Sequence, residues 1–171
     1  MPRHLGLIKI AQALQRINHD FRLDVYGKLP NNQVCEAFEN CDAINYCGVV
    51  SYESVKEIIA NSILVFHTES TNPFYVRDIR HGFTTKIADS LASGTCFCIF
   101  APKTLSCTKY IAENNCGCVI TDETLLEEKL NEIISNKTLR ELYINNALKV
   151  VERNHNLQKN QAKFEEIINN L

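Results

Sequence analysis

The protein is a chain of 171 residues, which is enough for one domain with its own apolar core. Its 18 Lys and Arg residues nearly balance its 20 Asp and Glu residues, which argues against a large basic surface for a nucleic-acid backbone. With 45% hydrophobic and 22% charged residues, the composition is that of a globular domain and excludes a collagen-like, disordered or coiled-coil chain.

Helix-like and strand-like stretches alternate in the first half of the chain. Apolar residues at helical spacing predict a helix over residues 5–17, and the alternating segment 21–26 predicts a strand that ends at Gly27. Ser51 is expected to cap a helix. The polar segment 68–82 is predicted to be a long loop. The other elements expected here are a short helix over 34–38 and strands over 43–47 and 63–66.

The same alternation continues in the second half. A helix over 83–93 should end at Gly94, which suits the position after a helix. Thr138 and Glu141 have the spacing of a capping box for a helix that runs to Val151. The remaining expectations are strands over 96–100 and 116–120, helices over 105–114 and 122–135, the latter with Leu125, Leu126, Leu130, Ile133 and Ile134 inward, and a final helix with Phe164, Ile167, Ile168 and Leu171.

This order of elements predicts an α/β fold. We expect a three-layer α/β/α, Rossmann-like domain with a mainly parallel sheet, C-terminal helices and strands that are apolar on both sides. Because no linker or repeat divides the chain, a single domain over residues 1–171 is expected. The first predicted helix has no strand before it, so the chain is expected to begin inside a βαβ pattern.

Eight cysteines are the unusual feature of the composition. The chain shows neither an apolar signal-peptide stretch nor a run of the ~18 apolar residues that a membrane span needs, so a cytoplasmic protein with free thiols is expected. Cys96 with Cys98, and Cys116 with Cys118, lie on predicted strands at a spacing that places each pair on one face. Zinc ligands usually have a wider spacing, so packing is the favoured role and no metal is expected.

A candidate ligand site lies in the segment HGFTTKIADSLASG, residues 81–94. In an open α/β sheet, ligands bind beyond the carboxyl ends of the strands, and a helix that starts there offers free amides to a phosphate. Thr84 and Thr85 add hydroxyl groups at this start, and Lys86 adds a positive charge. Asp89, one turn further on, could accept hydrogen bonds from a ribose. An ordinary surface turn with a solvated Lys/Asp pair is the open alternative.

Other motifs are absent or weak. The sequence contains no GxGxxG, no phosphate-binding P-loop and no Gly-x-Ser-x-Gly elbow. His67 follows a predicted strand and His81 precedes the candidate helix, and histidine is suited to acid–base chemistry. Structural or solvated histidines are nevertheless more common than catalytic ones.

The segment KIADSLASGTCFCIF resembles part of the C-terminal, nucleotide-sugar-binding domain of GT-B-fold glycosyltransferases of the group 1, family 4-like type. In that family a helix K/P-x-x-E-x-x-A-x-G precedes a strand that begins P-V-I, which here begins T-C. The segments LDVYGK, INYCGVVSYESVKEIIANSILVFHT and YIAENNCGCVI are similar to other parts of the domain, so the resemblance covers nearly the whole chain. The signature positions are matched by Lys86, Asp89, Ala92 and Gly94.

The resemblance implies a donor site. Asp89 takes the place of the carboxylate that binds the donor ribose, and Thr84 and Thr85 take the place of the amides that hold the diphosphate, with Lys86 beside them. The segment that lines the nucleobase pocket is matched by Gly48, Val49 and Val50, and Lys28 lies near the phosphates in such folds.

The chain also departs from the family pattern. Many retaining members carry two glutamates with seven residues between them, and His81 and Asp89 stand at those positions here. His81 is therefore the catalytic candidate, and a retaining mechanism is not implied. The family's N-terminal domain, which binds the acceptor, has no counterpart, so this chain is expected to be a donor-binding half that is inactive alone.

The implied activity is that of a hexosyltransferase-type glycosyltransferase. It would transfer a sugar from a UDP- or GDP-sugar to a glycan or lipid-linked acceptor, in bacterial surface polysaccharide synthesis. It would use no metal or other cofactor and bind no nucleic acid, and the full enzyme would associate peripherally with a membrane. Two alternatives stay open: a non-catalytic Rossmann-like binding or assembly module, and another kind of nucleotide-binding α/β protein.

Overall fold

The computed structural model describes residues 2–170, in which strands and helices alternate. The strands are β1 (Leu23–Tyr26), β2 (Ile44–Gly48), β3 (Leu64–Thr68), β4 (Cys96–Phe100) and β5 (Cys118–Ile120). The helices are α1 (Arg3–Ile17), α2 (Asn32–Glu39), α3 (Tyr52–Ala60), α4 (Pro73–Ile79), α5 (Thr85–Ala92), α6 (Ser106–Glu113), α7 (Leu126–Ser135), α8 (Lys137–Asn154) and α9 (Leu157–Asn169). The predicted three-layer α/β fold with parallel strands is confirmed.

The sheet is divided into two parts, which the sequence did not predict. Strand β1 pairs with β2, and β3, β4 and β5 pair in that order, all of them parallel. Within residues 2–170, no strand pairs with both β1 and β3, so these two strands face a gap in the middle of the sheet. Helix α1 contacts both of them and thus bridges the gap on one side.

Strand β4 is the centre of the larger part of the sheet and is buried along its whole length. Its side chains alternate between two apolar clusters, as expected for a strand covered by helices on both faces. Cys96, Cys98 and Phe100 pack with α1 and α7, whereas Phe97 and Ile99 pack with α5, α6 and α8. This confirms the predicted role of Cys96 and Cys98 in packing on one shared face.

Helix α1 is attached to a distant part of the chain. It packs along α7, and ion pairs join Lys9 to Glu123 and Arg16 to Glu127, more than 100 residues further on. Because exposed ion pairs contribute little, we attribute the attachment mainly to apolar contacts such as those of Ile10.

Two predicted helix boundaries are confirmed by their local geometry. The Ser51 hydroxyl accepts a hydrogen bond from the backbone N–H of Ser54 at 3.2 Å, which caps α3. Gly94 follows the end of α5 with φ of +76°, a conformation that side chains rarely adopt and that stops the helix.

Several expectations were wrong. The predicted loop over 68–82 contains α4, which starts at a proline and is capped by Asn72. The cap of α8 is Asn136, whose side chain accepts from the N–H of Leu139, so Thr138 does not start this helix. Leu125 is 43% exposed because it lies in a short 3₁₀ turn before α7 rather than on the apolar face of that helix.

Two further differences follow from strand positions. Cys116 lies in the turn before β5 and packs in the cluster that contains α5, whereas Cys118 packs in the other cluster, so the two do not share a face. Strand β2 is an edge strand, and its exposed residues Asn45 and Tyr46 contradict the expectation of strands apolar on both sides.

The final helix is confirmed as α9, with its predicted apolar residues Phe164, Ile167 and Ile168 exposed. Leu171, the last residue of that prediction, lies outside the described residues. Among residues 2–170, the structure has no helix with the length and apolarity required to cross a bilayer.

Helix α1 approaches the end of β3 so closely that only glycine fits at one position. A Cβ atom at Gly6 would lie 2.2 Å from Oγ1 and 3.2 Å from Cβ of Thr68, which is itself buried. Because glycine has no Cβ atom, α1 and β3 can approach each other this closely at Gly6.

We predict that Gly6→Ala lowers the free energy of unfolding by about 1–3 kcal/mol, because overpacking here outweighs the gain in helix propensity. Chemical denaturation would measure this. Gln12→Ala, at an exposed position of the same helix, should change stability by less than about 0.5 kcal/mol. The double variant Gly6→Ala with Thr68→Ala should regain part of the loss, and equal stability of Gly6→Ala and the parent would contradict the steric argument.

Candidate functional site

A cleft of about 880 Å³ lies between the two parts of the sheet. Gly27 at the end of β1 and His67 near the end of β3 line it, together with Val49 and Val50 after β2. These positions are the carboxyl ends of parallel strands, where open α/β sheets bind their ligands. We call the part of the cleft at these strand ends the mouth.

Helix α5 begins at the mouth and presents a polar surface to it. Ile87 and Leu91 are buried against the sheet, which anchors the helix and leaves Lys86 and Asp89 exposed along the cleft. The side chain of Thr84, at the N-cap position of α5, makes no capping hydrogen bond to the helix, as is also the case at the starts of α1, α6 and α7. The start of α5 can therefore offer its amides and the Thr84 hydroxyl to an anion.

The structure brings together five of the residues singled out from the sequence. Thr84, Lys86, Asp89, Val49 and Val50 all line the cleft, although they come from two separate segments of the chain. The spacing of Lys86 and Asp89, three residues apart on one helix, places both along the same cleft, as the sequence indicated.

Four other candidates do not line this cleft. Thr85 is exposed in the first turn of α5, and Lys28 is exposed after β1. Gly48 accepts a hydrogen bond from the N–H of Gly27 at 2.7 Å, so it joins β1 to β2. The catalytic candidate His81 is exposed in the turn between α4 and α5, outside the cleft lining.

A buried carboxylate beside the mouth was missed by sequence reasoning. Glu69 follows β3 directly and is only 5% exposed. Its two oxygens accept hydrogen bonds from Nε and a terminal nitrogen of Arg3 at 2.7 and 2.9 Å, a two-point contact with the start of α1. Nε2 of His67, which lines the cleft, lies 3.0 Å from Oε1 of the same carboxylate. The sequence feature that could have indicated Glu69 is its place as an acidic residue immediately after an apolar strand.

Glu69 is held in its charged form. Burial alone would raise the pKa of its carboxyl group, but the hydrogen bonds with His67 and Arg3 and the positive charge of Arg3 outweigh burial. The pKa therefore lies below its ordinary value of 4.5. A charged, fully bonded Glu69 fixes the position of His67 at the cleft and of the first residues of α1.

Cysteine and metal chemistry are not prominent in the described residues. All eight cysteines are free thiols, and six of them are buried. Burial raises the pKa of the Cys116 thiol to about 11, which keeps it in the unreactive protonated form. Among residues 2–170, no three His, Cys, Asp or Glu side chains are grouped so that they could hold a metal ion.

The same fold occurs in solved structures of GT-B glycosyltransferases. WaaG, a glycosyltransferase involved in lipopolysaccharide biosynthesis, is similar at a TM-score of 0.62 and 19% identity over 85% of this chain and 38% of WaaG. S. aureus TarM, solved with UDP, is similar at a TM-score of 0.73 and 13% identity, over 99% of this chain and 33% of TarM. The C-terminal domain of LpcC from Francisella tularensis gives 0.62 and 14%, over 88% of this chain and 77% of that domain.

The fold is thus that of a Rossmann-like domain of a GT-B glycosyltransferase. The model of the family described as glycosyl transferases group 1 matches residues 3–150, and the chain belongs to this family. It spans about two fifths of WaaG and a third of TarM. No curated protein sequence matches it.

We predict that Glu69→Gln lowers the free energy of unfolding by about 1–3 kcal/mol, because charged hydrogen bonds to a buried carboxylate are replaced by weaker neutral ones. Urea denaturation at neutral pH would measure the loss. The matched control is Glu123→Gln. It removes the exposed ion pair with Lys9, which lies on α1 as Arg3 does, and it should lower the free energy of unfolding by less than about 1 kcal/mol.

The pH dependence gives a second check of the same prediction. Since the folded protein holds the Glu69 pKa below 4.5, its contribution is complete above that pH and is lost as the pH falls further. The stability difference between the parent and Glu69→Gln should therefore shrink in acid. A difference that stays constant between pH 7 and about pH 3 would contradict a charged Glu69.

Proposed function

We propose that this chain is the donor-binding part of a glycosyltransferase, and that the mouth of the cleft holds a nucleoside diphosphate sugar. The observation that carries the proposal is the meeting of Thr84, Lys86 and Asp89 with Val49 and Val50 in one cleft at the carboxyl ends of parallel strands. The sequence pattern alone indicates each of these residues as part of a ligand site or of the family's donor site.

Each group in the mouth suits one part of such a donor. Val49 and Val50 offer apolar surface to the base, and the Asp89 carboxylate can accept hydrogen bonds from the two ribose hydroxyls. The amides at the start of α5, the Thr84 hydroxyl and the Lys86 ammonium group can hold the diphosphate. The family resemblance assigns the same roles to these positions.

The same groups can assist the transfer step. When the bond between sugar and diphosphate breaks, negative charge grows on the departing nucleoside diphosphate. Fixed amides and a lysine that point at this charge lower the barrier, since they stabilise the transition state more than the ground state. We propose that no metal ion takes part.

The wider activity follows from the family and its relatives. We propose that a hexosyl group passes to a glycan or lipid-linked acceptor held by a further domain, in the synthesis of bacterial surface polysaccharide. WaaG, which is involved in lipopolysaccharide biosynthesis, supports this assignment, and TarM, solved with UDP, supports a uridine nucleotide. We also propose that the protein is cytoplasmic, that the full enzyme is peripheral to the membrane, and that it binds no nucleic acid.

We predict that calorimetry detects binding of UDP or GDP, or of one of their sugars, and that EDTA does not change the affinity. Lys86→Ala and Asp89→Ala should each weaken binding about tenfold, equivalent to about 1.4 kcal/mol, because each removes one charged contact with the ligand. Added salt should reduce the effect of Lys86→Ala more than that of Asp89→Ala, since the lysine acts through charge at the phosphates.

Asp78→Ala is the matched control, because this exposed carboxylate lies on α4 outside the cleft lining and should leave the affinity unchanged. The absence of binding by every nucleotide and nucleotide sugar at millimolar concentration would refute the donor site. Binding that neither Lys86→Ala nor Asp89→Ala weakens would refute the roles given to these residues.

A second candidate function is a nucleotide-binding module that does not transfer sugar. The observation that favours it is the position of His81, the catalytic candidate, which is exposed and outside the cleft lining. In that case Lys86, Asp89 and the helix amides would bind a charged donor, but no group would be placed to assist an attacking hydroxyl.

We predict that this chain alone releases no sugar from a UDP- or GDP-sugar faster than buffer does, even where calorimetry shows saturation. Chromatography of the nucleotide products would measure the rate. Release that depends on His81, and is lost in His81→Ala but kept in the control His19→Ala, would instead establish catalysis by this chain.

A further inference from the structure

We propose that Cys98 and Cys118 form a redox-active pair of thiols, in which a peroxide oxidises Cys118 and Cys98 then closes a disulfide bond between β4 and β5. Cysteine is unusually frequent in this chain, with eight residues, and none of them belongs to the proposed donor site. Neither Cys98 nor Cys118 lines the cleft, so the proposal does not depend on nucleotide binding at its mouth.

The two cysteines are neighbours across the sheet. Cys98 pairs in register with Cys118 in the parallel ladder of β4 and β5, and both pack in the cluster that contains α1 and α7. Neighbouring strands lie about 4.7–4.9 Å apart, and the Cα atoms of disulfide-bonded cysteines lie about 4.4–6.8 Å apart. The backbone therefore holds the pair at a separation that a disulfide bond can span. Within residues 2–170, no other two cysteines lie in register on neighbouring strands.

A cavity of about 220 Å³ gives a small oxidant access to Cys118. Cys118 lines it together with Ile133 and Tyr143, which pack in the same cluster, so the cavity lies on the face of the sheet that carries this thiol. Asn115 and Glu132, which are exposed, also line the cavity, so it is open to solvent. Because one water molecule occupies about 30 Å³, hydrogen peroxide fits into this space.

Lys129 supplies a positive charge at the same cavity. Its Nζ atom lies 2.9 Å from Oε2 of Glu132, in an ion pair within α7. The pKa of the Cys118 thiol lies below its ordinary value, because the hydrogen bond with Cys98 and the charge of Lys129 outweigh burial and the charge of Glu132. Since the thiolate is the nucleophilic form of cysteine, Cys118 is the member of the pair that attacks a peroxide.

Cys98 is placed for the second step. It is fully buried and does not line the cavity, so an oxidant reaches it only through Cys118. Its pKa lies well above the ordinary value, because hydrogen bonds with Cys118 and Cys96, together with burial, disfavour the thiolate. Cys98 therefore stays protonated until its neighbour has been oxidised.

Oxidation of the pair takes two steps, with hydrogen peroxide as the oxidant. The Cys118 thiolate attacks one oxygen, the O–O bond breaks, and the departing hydroxide takes up the proton that Cys118 had released. The sulfur of Cys98 then attacks the sulfur of the resulting sulfenic acid, the S–O bond breaks, and the hydroxide leaves as water with the proton of Cys98. One peroxide is thus reduced to two waters, while two thiols are oxidised to one disulfide.

The test is peptide mapping by mass spectrometry, after the whole chain has been treated with hydrogen peroxide and its remaining thiols have been alkylated. We expect a disulfide bond that links the tryptic peptide carrying Cys96 and Cys98 to the peptide carrying Cys116 and Cys118. Cys96→Ala and Cys116→Ala should each keep this bond, which assigns it to Cys98 and Cys118. Loss of the bond in either variant, or its absence from the parent, would overturn the proposal.

Chemical trapping identifies the thiol that reacts first. In Cys98→Ala, peroxide should leave a sulfenic acid at Cys118, which dimedone captures as a single adduct, whereas in Cys118→Ala the Cys98 thiol should stay reduced. Cys35 is the control for exposure, since it is less buried than Cys118 but a hydrogen bond with Glu39 raises its pKa. Oxidation of Cys35 ahead of Cys118 would overturn the proposal, because accessibility alone would then decide the order.

Two charge variants test the cavity without changing the buried thiols. Lys129→Ala should slow the oxidation of Cys118 about two- to fivefold, the size of effect that a partly exposed charge pair has, and Glu132→Gln should speed it by a similar factor. A merely structural role would not give effects of opposite sign. Lys137→Ala is the matched control, because it breaks an exposed ion pair with Glu141 outside the cavity lining and should leave the rate unchanged. Equal rates in all three variants and the parent would overturn the role given to the cavity.

Discussion

The structure depends on the burial of β4 between two layers of helices. This strand alternates its side chains between two apolar clusters, so the positions of α1 and α7 on one face and of α5, α6 and α8 on the other are all set against it. The orientation of helix α5 also depends on β4. Ile87 and Leu91 pack in the same cluster as Phe97 and Ile99 of that strand, and this turns Lys86 and Asp89 toward the cleft. The candidate site is therefore a consequence of packing around one strand.

Much of this arrangement could be predicted from the sequence because local patterns carry it. The continuous apolar run at β4, the stop at Gly94 and the spacing of Lys86 and Asp89 each reflect a short-range rule of strands and helices. These rules also place Thr84 at the start of a helix beyond the strands. They yield the fold class and the polar half of the site without knowledge of any long-range contact.

Two of the features that could not be predicted, the role of Glu69 and the gap in the sheet, depend on contacts between distant segments. The role of Glu69 requires Arg3, which lies 66 positions away, and no local pattern reveals that pairing. The position of His81 depends on α4, a short helix within a polar segment whose composition resembles a loop. The gap between β1 and β3 is likewise a property of strand order, which alternating hydrophobicity does not encode.

The attachment of α1 to α7 has a consequence for the kinetics of folding. The contacts of Lys9 and Arg16 close loops of more than 100 residues, and the entropy of that closure opposes early formation of the interface. During synthesis α1 is made before its partner helix, and more than 100 residues separate the paired positions. Until α7 has been made, the apolar face of α1 that includes Ile10 and Leu14 lacks this partner, and such exposed apolar surface is what chaperones bind.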